Sequence, residues 1–400
     1  MKIYIIAVMT LIFSVTLSAQ DQVQAFRYSQ VYPVGTARYA AMGGALSAVG
    51  GDFTSASTNP AGLGLYRSSE LTITPSYYIN NSTANYLGGV SKDTEYNFNI
   101  GNMGIVTAFD RKKDEGLVGS VFAFGYNALN NFHSSTTSQG VNPNHSLLDN
   151  FTMYANNDDW DPFYEGIAFE TGLMPLDTIN NIYWHNLEPY PAINYDGYDQ
   201  EQIRIVEKSG YLGEYSFSYA MNISHKIYMG ATFGIHAVRY YEDIYHTETD
   251  IDDLEPDFES FRFGEYNTTR GTGYAFKVGI IVKPIHMLRI GASFHAPTIY
   301  HLTDEKFTDL NTYWNSSSGL TNAYESYGIH AKRYILRTPL RLSLSTAILI
   351  GKLGMVSAEY ENVDYSRSDL DSPSGSTEHF VYENRAITED FKNTHNLKVG

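Results

Sequence analysis

Residues 288–296 read LRIGASFHA. Successive side chains of an extended chain point to opposite faces, so Leu288, Ile290, Ala292, Phe294 and Ala296 share one side. Arg289, Gly291, Ser293 and His295 share the other. The alternation recurs in 228–237, where Met229, Ala231, Phe233, Ile235 and Ala237 oppose Gly230, Thr232, Gly234 and His236. It recurs again in 214–223, with Tyr215, Phe217, Tyr219, Met221 and Ile223 against Glu214, Ser216, Ser218 and Asn222. In 340–345, Leu340, Leu342 and Leu344 oppose Arg341, Ser343 and Ser345. A strand between hydrocarbon and a wet lumen needs this dyad, although a half-exposed soluble sheet produces it too.

Connection lengths separate those two cases. Strands read near 70–79, 96–109, 117–127, 211–223, 227–245, 272–283, 287–302, 334–349 and 353–365, with a tenth starting near Asn396. The joins at 110–116, 224–226, 284–286 and 350–352 are short, and those at 80–95, 128–210, 246–271, 303–333 and 366–395 are long. Strict alternation of short and long joins fits a barrel with tight turns on one rim and long loops on the other. A sandwich has no reason to keep that parity. The fold expected is therefore all-β, a transmembrane antiparallel β-barrel. Nine complete strands leave an odd count, whereas bacterial single-chain barrels have even numbers. The chain stops at Asn396–Gly400 without a terminal aromatic residue, so the expectation is that C-terminal strands are missing.

Composition narrows the function classes. Aromatic residues make up 14% of the 400, and 33 residues are tyrosine, which favours strands and membrane interfaces. With no cysteine, disulfides and thiolate metal sites are excluded. A net charge of −17 repels nucleic acid. Lys2, the apolar run Ile3 to Leu17 and the small pair Ser18–Ala19 read as an export signal over residues 1–19. After residue 19 no apolar stretch is long enough for a membrane-spanning helix.

Two short runs carry a resemblance. Ala37-Arg38-Tyr39-Ala40-Ala41-Met42-Gly43-Gly44-Ala45, followed by Asn59-Pro60-Ala61-Gly62-Leu63, resembles the start of the FadL/TodX family of outer-membrane transporters for hydrophobic compounds. Phe122-Ala123-Phe124-Gly125-Tyr126-Asn127 and Leu129-Asn130-Asn131-Phe132 resemble the third strand and following loop of its Bacteroidetes-type members. The resemblance implies a barrel of the family's fourteen strands, with residues 20–68 folded into the lumen as a hatch and 69–400 forming the barrel. It also implies a bacterial outer-membrane location, contact with outer-membrane lipid and with the barrel assembly machinery, and passive uptake of a fatty acid-like substrate. Gly43, Gly44, Asn59, Pro60 and Ala61 become hatch and gating candidates. In the family, solute leaves sideways at a kink in the third strand facing the Asn-Pro-Ala step, which singles out Gly125 and then Gly119. Alternatives implied by relatives are a shuttle in type IX secretion, a haemin receptor and a general porin.

The residues themselves support part of this. Asn59 is suited to cap a helical turn starting at Pro60, with Gly62 or Gly64 ending it in a left-handed conformation. A glycine inside strand 117–127 marks a bulge, a close backbone approach or room for a neighbouring ring. The second strand changes phase near Gly101–Gly104, the mark of a bulge. Phe151, Trp160, Phe163 and Trp184 lie in the longest loop, as a greasy capture surface or as rings packing the loop on itself. No nucleophile motif, zincin helix or phosphate-cradling glycine loop is present, so no enzyme, metal or cofactor is expected. His236 and His295 read as pore-lining polar groups, with haem ligation the alternative. The acidic run Asp250, Asp252, Asp253, Glu255, Asp257, Glu259 lacks calcium-loop spacing and reads as a solvated face.

Overall fold

The structure, a computed structural model, describes residues 20–185, 187, 198–251, 257–315, 322–351, 353–373 and 380–400. The export-signal reading and part of the acidic run lie outside them. One antiparallel sheet dominates. Its strands are β1 (Glu70–Tyr86), β2 (Gly89–Asp110), β3 (Leu117–Asn131), β4 (Ser134–Asn142), β7 (Gln200–Ile223), β8 (Ile227–Asp250) and β9 (Phe258–Ile285). They continue as β10 (Leu288–His295), β11 (Ile299–Trp314), β12 (Ala323–Arg337), β13 (Arg341–Ile350), β14 (Gly354–Asp364), β15 (Asp369–Asp371) and β16 (Asn393–Val399). A separate two-stranded pair, β5 (Leu176–Asp177) and β6 (Ile182–Tyr183), sits in the longest loop. The neighbours run β1-β2-β3-β7-β8-β9-β10-β13-β14-β16, ten strands side by side. These correspond to the nine strands and the start of a tenth expected above.

The short joins are as read, with Ser224 and His225 both at positive φ (51° and 54°) closing the β7–β8 hairpin. That is the twist a tight hairpin requires. Three of the expected long loops are instead strand. β1 and β2 continue to a turn at Leu87–Gly88, β8 and β9 run to Asp250 and from Phe258, and β11 and β12 fill most of 303–333. In β1 and β2 the added rungs are exposed or half-buried throughout. Those of β8, β9 and β11 bury polar side chains such as His246, Glu248 and Thr312 on one face, so the dyad of greasy and polar residues is lost. The expected strands 287–302 and 334–349 are each broken, at Ala296–Thr298 and Thr338–Leu340. Both breaks carry a proline, which has no N–H for the ladder.

The faces of the wall divide as the dyads require. Phe233, Leu342 and Leu344 are 46%, 47% and 62% exposed, while Thr232, His236, Ser343 and Ser345 are buried. Large apolar side chains thus point away from the core, and small or polar ones point into it. Rings on the outer face meet rung by rung across β3 and β7: Phe122 with Tyr219 and Phe124 with Phe217 at 4.8 Å, Tyr126 with Tyr215 at 5.4 Å. Such cross-strand pairs add stability beyond the ladder itself.

The chain before β1 lies on the inner side. It contains α1 (Gln20–Ser29), α2 (Ala37–Ala41) and two 3-10 turns at Phe53–Ala56 and Pro60–Leu65. Phe53 meets β2 and β3, Pro60 meets β8, Asn59 meets β9 and β10, and Met42 meets the residue after β16. A segment touching strands from both halves of the order must be enclosed by the curl. Above it, Ala25 and Tyr28 of α1 join a buried cluster with Leu212, Tyr240, Tyr300, Tyr334 and Leu370. The longest loop holds α3 (Leu147–Asn156) and α4 (Ile167–Glu170), while α5 (Val381–Asp390) precedes β16.

Candidate functional site

The Asn59-Pro60-Ala61 step is built as the residue types suggest. Asn59 is extended (φ −134°, ψ 98°), and its Oδ1 accepts the Ala61 N–H at 3.2 Å. Its Nδ2 donates to the Ser47 carbonyl at 3.1 Å, and Pro60 takes the first position of the turn, where no N–H is needed. Gly62 and Gly64 do not end the turn in a left-handed conformation, since Tyr66 closes it in an extended one. Both glycines serve close approach instead. A Cβ on Gly62 would meet Ser55 Oγ at 2.5 Å, and one on Gly64 would meet the Met221 carbonyl at 2.8 Å. Gly43 and Gly44, at φ 56° and 79°, turn the chain after α2.

A second knot in the segment had no signature in the sequence. Asp52 accepts the Thr36 hydroxyl on both carboxylate oxygens at 2.8 Å and the Thr54 N–H at 2.8 Å, while Thr54 Oγ1 accepts the Thr36 N–H. This ties α2 to the Phe53 turn, so the segment is braced within itself before it touches the wall.

Opposite Asn59 the wall is notched. Gly230 of β8 pairs with Gly279 of β9, and Gly291 stands on β10 beside them. A Cβ on Gly279 would fall 1.9 Å from Asn59 Oδ1, and one on Gly230 would fall 2.4 Å from the Pro60 carbonyl. A Cβ on Gly291 would fall 3.2 Å from Asn59 Nδ2. Three residues without side chains therefore admit the Asn-Pro backbone against the strands. Side chains from the same part of the wall donate to carbonyls of the segment: Arg289 to Val49, His295 to Thr58, Arg341 to Ser29 and Ser357 to Ala45.

The resemblance implied a third-strand kink facing Asn59-Pro60-Ala61. At Gly125, its first candidate, the neighbour from the segment is Phe53, and the turn after Pro60 reaches the same strand through Leu63 against Val121 and Ala123. Gly125 of β3 and its partner Gly104 of β2 face Phe53, whose ring would lie 2.7 Å and 2.3 Å from a Cβ on either. The β2–β3 ladder runs unbroken from Asp110↔Gly119 to Asn102↔Asn127. The irregularities in β3 lie at Leu117/Gly119 and Ala128/Asn130, and that in β2 at Gly101, which is skipped between Thr74↔Asn102 and Pro75↔Ile100. Above Asn102 the two strands part, and amides bridge them. Asn102 donates to Asn127 at 2.6 Å and Asn131 to Asn97 at 2.9 Å. The opening left there, about 380 Å³, is bordered by Arg27, Gln30, Tyr32, Asn130, Asn131 and His133.

Between the segment and β8–β16 lies an enclosed cavity of about 80 Å³. It is bordered by Tyr39 and Thr58 from the segment and by Lys277, His295, Arg341 and Lys398 from the wall. The cations are paired: Lys277 with Glu214, Arg341 with Glu361 at 3.4 Å, Lys398 with Glu359 at 3.0 Å. His236 Nδ1 meets the Tyr300 hydroxyl at 2.6 Å and its Nε2 lies 3.4 Å from Glu214, so both imidazole nitrogens face protein groups. A volume of this size holds a few waters and no long hydrocarbon chain.

The four loop aromatics split. Phe151 is buried 5.7 Å from Phe263, and Phe163 packs 4.6 Å from Tyr327, so both hold the loop to β9, β11 and β12. Trp160 and Trp184 are 43% and 40% exposed, and Trp160 forms an open cluster with Phe169 and Tyr183 at 6.0 and 5.4 Å. The loop is capped by Ser146, whose hydroxyl donates to the buried Glu248 at 2.6 Å. Glu165 is buried in the same loop, accepting the Asp161 N–H at 2.8 Å, and burial pushes its carboxyl up to about 7.

No protein-family model matches the chain, and no curated protein matches it. Among solved structures it is similar to the CymD monoaromatic hydrocarbon channel, at 12% identity over 93% of this chain and 76% of that one, with a TM-score of 0.39. The Pseudomonas putida toluene transporter TodX is similar at 13% identity, 86% and 75% coverage and a TM-score of 0.41. A Pseudomonas aeruginosa FadL homologue is similar at 12% identity, 87% and 73% coverage and a TM-score of 0.42.

Proposed function

We propose that the chain is an outer-membrane channel of the FadL/TodX kind that takes up hydrophobic small molecules passively, with residues 20–68 as its hatch. The observation that carries this reading is the division of the wall. Phe124, Phe217, Phe233, Phe276, Ile290, Phe294, Leu342 and Leu344 stand exposed on the outside, around an interior of paired charges and a plug. A soluble protein gains nothing from exposing so many rings in register, whereas a bilayer requires it. Trp160 and Trp184 supply a first apolar contact outside the membrane. Movement down successive sites needs no nucleotide or redox step, since burying each methylene contributes about 0.8 kcal/mol. The paired charges beside Thr58 suit a substrate with a polar head and an apolar tail, as in a long-chain fatty acid, released sideways into the membrane.

The test is uptake of a fluorescent long-chain fatty acid by vesicles holding the full-length protein, beside identification of apolar molecules that co-purify with it. Asn59→Ala or Pro60→Ala is expected to slow uptake while the barrel still assembles. Vesicles with and without the protein taking up the probe equally would overturn the reading.

A further inference from the structure

Beyond the apolar belt the outward face of the wall turns basic along one rung. Tyr211 of β7 pairs with Arg239 of β8, Arg239 with Arg270 of β9, Arg270 with Thr303 of β11, and Thr303 with Arg333 of β12. The arginines have the parity of the exposed rings below them. Arg239 lies six residues on from Phe233 and Arg270 six residues before Phe276. Their neighbours along the strands, Val238, Tyr240, Thr269 and Tyr334, are buried, whereas all three arginines are exposed. Adjacent strands stand about 4.8 Å apart, so the three guanidinium groups share a strip about 15 Å wide.

The wall does not balance this charge. Arg337, on the same face of β12, holds Asp369 at 2.8 Å and Asp371 at 3.1 Å. Among the described residues Arg239, Arg270 and Arg333 make no such pair, and Glu305, one rung further out on β11, joins none of them. The chain carries 44 acidic residues against 27 basic ones, yet no carboxylate is set into this rung. Arg239 and Arg270 stand directly opposite, and like charges so placed repel. Height fixes what the row can meet. From Ile227 to Ala237, at about 3.3 Å per residue and about 40° of tilt, β8 climbs about 25 Å, the height of an apolar belt. Arg239 is the next outward residue. Tyr211, Tyr215 and Tyr274 stand beside it, 40%, 45% and 47% exposed, where an aromatic girdle belongs. The long joins lie on this rim, so the row stands at the headgroups of the outer leaflet.

We propose that Arg239, Arg270 and Arg333 bind the phosphate of a phosphorylated glycolipid in the outer leaflet, with its acyl chains lying on Phe233, Tyr274 and Phe276 below. This rests on the outer-membrane reading above and concerns the outside of the wall, not the route of the solute. Guanidinium suits the role, because its planar fork donates two parallel hydrogen bonds to a phosphate and keeps its charge at any relevant pH. An anion lying over the row offsets the repulsion between Arg239 and Arg270. The ligand is a lipid, because the cationic strip is continuous with an apolar face that takes the other end of the same molecule.

The test is native mass spectrometry of the full-length protein released from detergent micelles, with lipid A or its dephosphorylated form added. The wild type is expected to retain the phosphorylated lipid. Arg239→Ala, Arg270→Ala and Arg333→Ala together should release it, affinity falling about fivefold for each arginine removed. The same three positions changed to lysine keep the charge without the fork and should fall between. Arg262→Ala removes another exposed arginine of this face, eight residues further up β9, and should leave retention unchanged. Equal retention by the wild type and the triple alanine variant, or of the two lipids by the wild type, overturns the proposal. So does displacement of the lipid by an equal concentration of inorganic phosphate, which would make this a site for the free anion. A second measurement needs no variant: lipid A should raise the melting temperature of the wild type clearly more than its dephosphorylated form, and equal shifts count against the assignment. Protein that stays in solution without detergent would instead sink the membrane reading.

Discussion

The plug meets the wall on two sides in two different ways. Toward β8–β14 it is wedged by backbone into a three-glycine notch and held by Arg289, His295, Arg341 and Ser357 on its carbonyls. Toward β2 and β3 the Phe53 ring packs on Gly104 and Gly125, with Val106, Val121 and Ala123 around it. Two hydrogen bonds flank it, Asn127 Nδ2 to Ser57 Oγ at 2.8 Å and the Tyr32 N–H to the Leu129 carbonyl at 3.0 Å. Hydrogen bonds fix distance and angle, and a buried carbonyl that loses its donor is costly. Apolar contact is non-directional and tolerates sliding. The segment is therefore registered chiefly by one wall, and at Phe53 it is supported by apolar contact on the other.

The largest effect expected is on the supporting side. Phe53→Ala removes a fully buried ring from the glycine pair and should cost about 3–5 kcal/mol in urea unfolding. If the comparison holds, protease cleavage within 45–57 then increases while the Asn59 step stays protected. A smaller effect is expected on the registering side. Gly279→Ala puts a methyl where Asn59 Oδ1 lies, an overpacking worth about 1–3 kcal/mol. The same change on an Asn59→Ala background should cost clearly less, because residues in contact do not add independently. Additive costs would show that the notch and Asn59 are not coupled and would break the comparison.

The smallest effect lies in the outer loop, where Glu165 is buried beside Phe163 and Tyr164, residues that Thr308 and Glu265 hold by hydrogen bonds. The Glu165 carboxyl rises from 4.5 to about 7, so between those values the docked loop holds a proton that the released loop does not. Docking is then firmest at acid pH and weakens as pH climbs through about 7. Hydrogen exchange across 147–170 should speed up over that range, and Glu165→Gln should flatten the profile.

Much of the wall was legible before any coordinates, because hydrocarbon outside and polar groups inside impose a period of two on 288–296 and 228–237. The cap at Asn59–Pro60 was legible too, since it depends on neighbours in sequence. His246 to Asp250 was not, because the side chains buried there, His246 and Glu248, are polar, so the dyad of greasy and polar residues is lost and the stretch reads as loop. Nor were the partners of Gly230, Gly279 and Gly291: a missing side chain announces close approach without saying to what. Phe53 and Asp52 were passed over for a similar reason, as their contacts are set by chain distant in sequence.

The length of β7, β8 and β9 has a consequence for where a solute first arrives. The alternation in β8 stops at Ala237, yet the strand continues to Asp250, paired with Gln200 on one side and, up to Thr249, with β9 on the other. Roughly a dozen residues at about 3.3 Å each, tilted by about 40°, raise this ribbon about 30 Å. On the transport reading proposed above, Trp160 and Trp184 ride on a stiff mast well clear of the headgroups, and arrivals would be met from the aqueous side before the bilayer can compete for them.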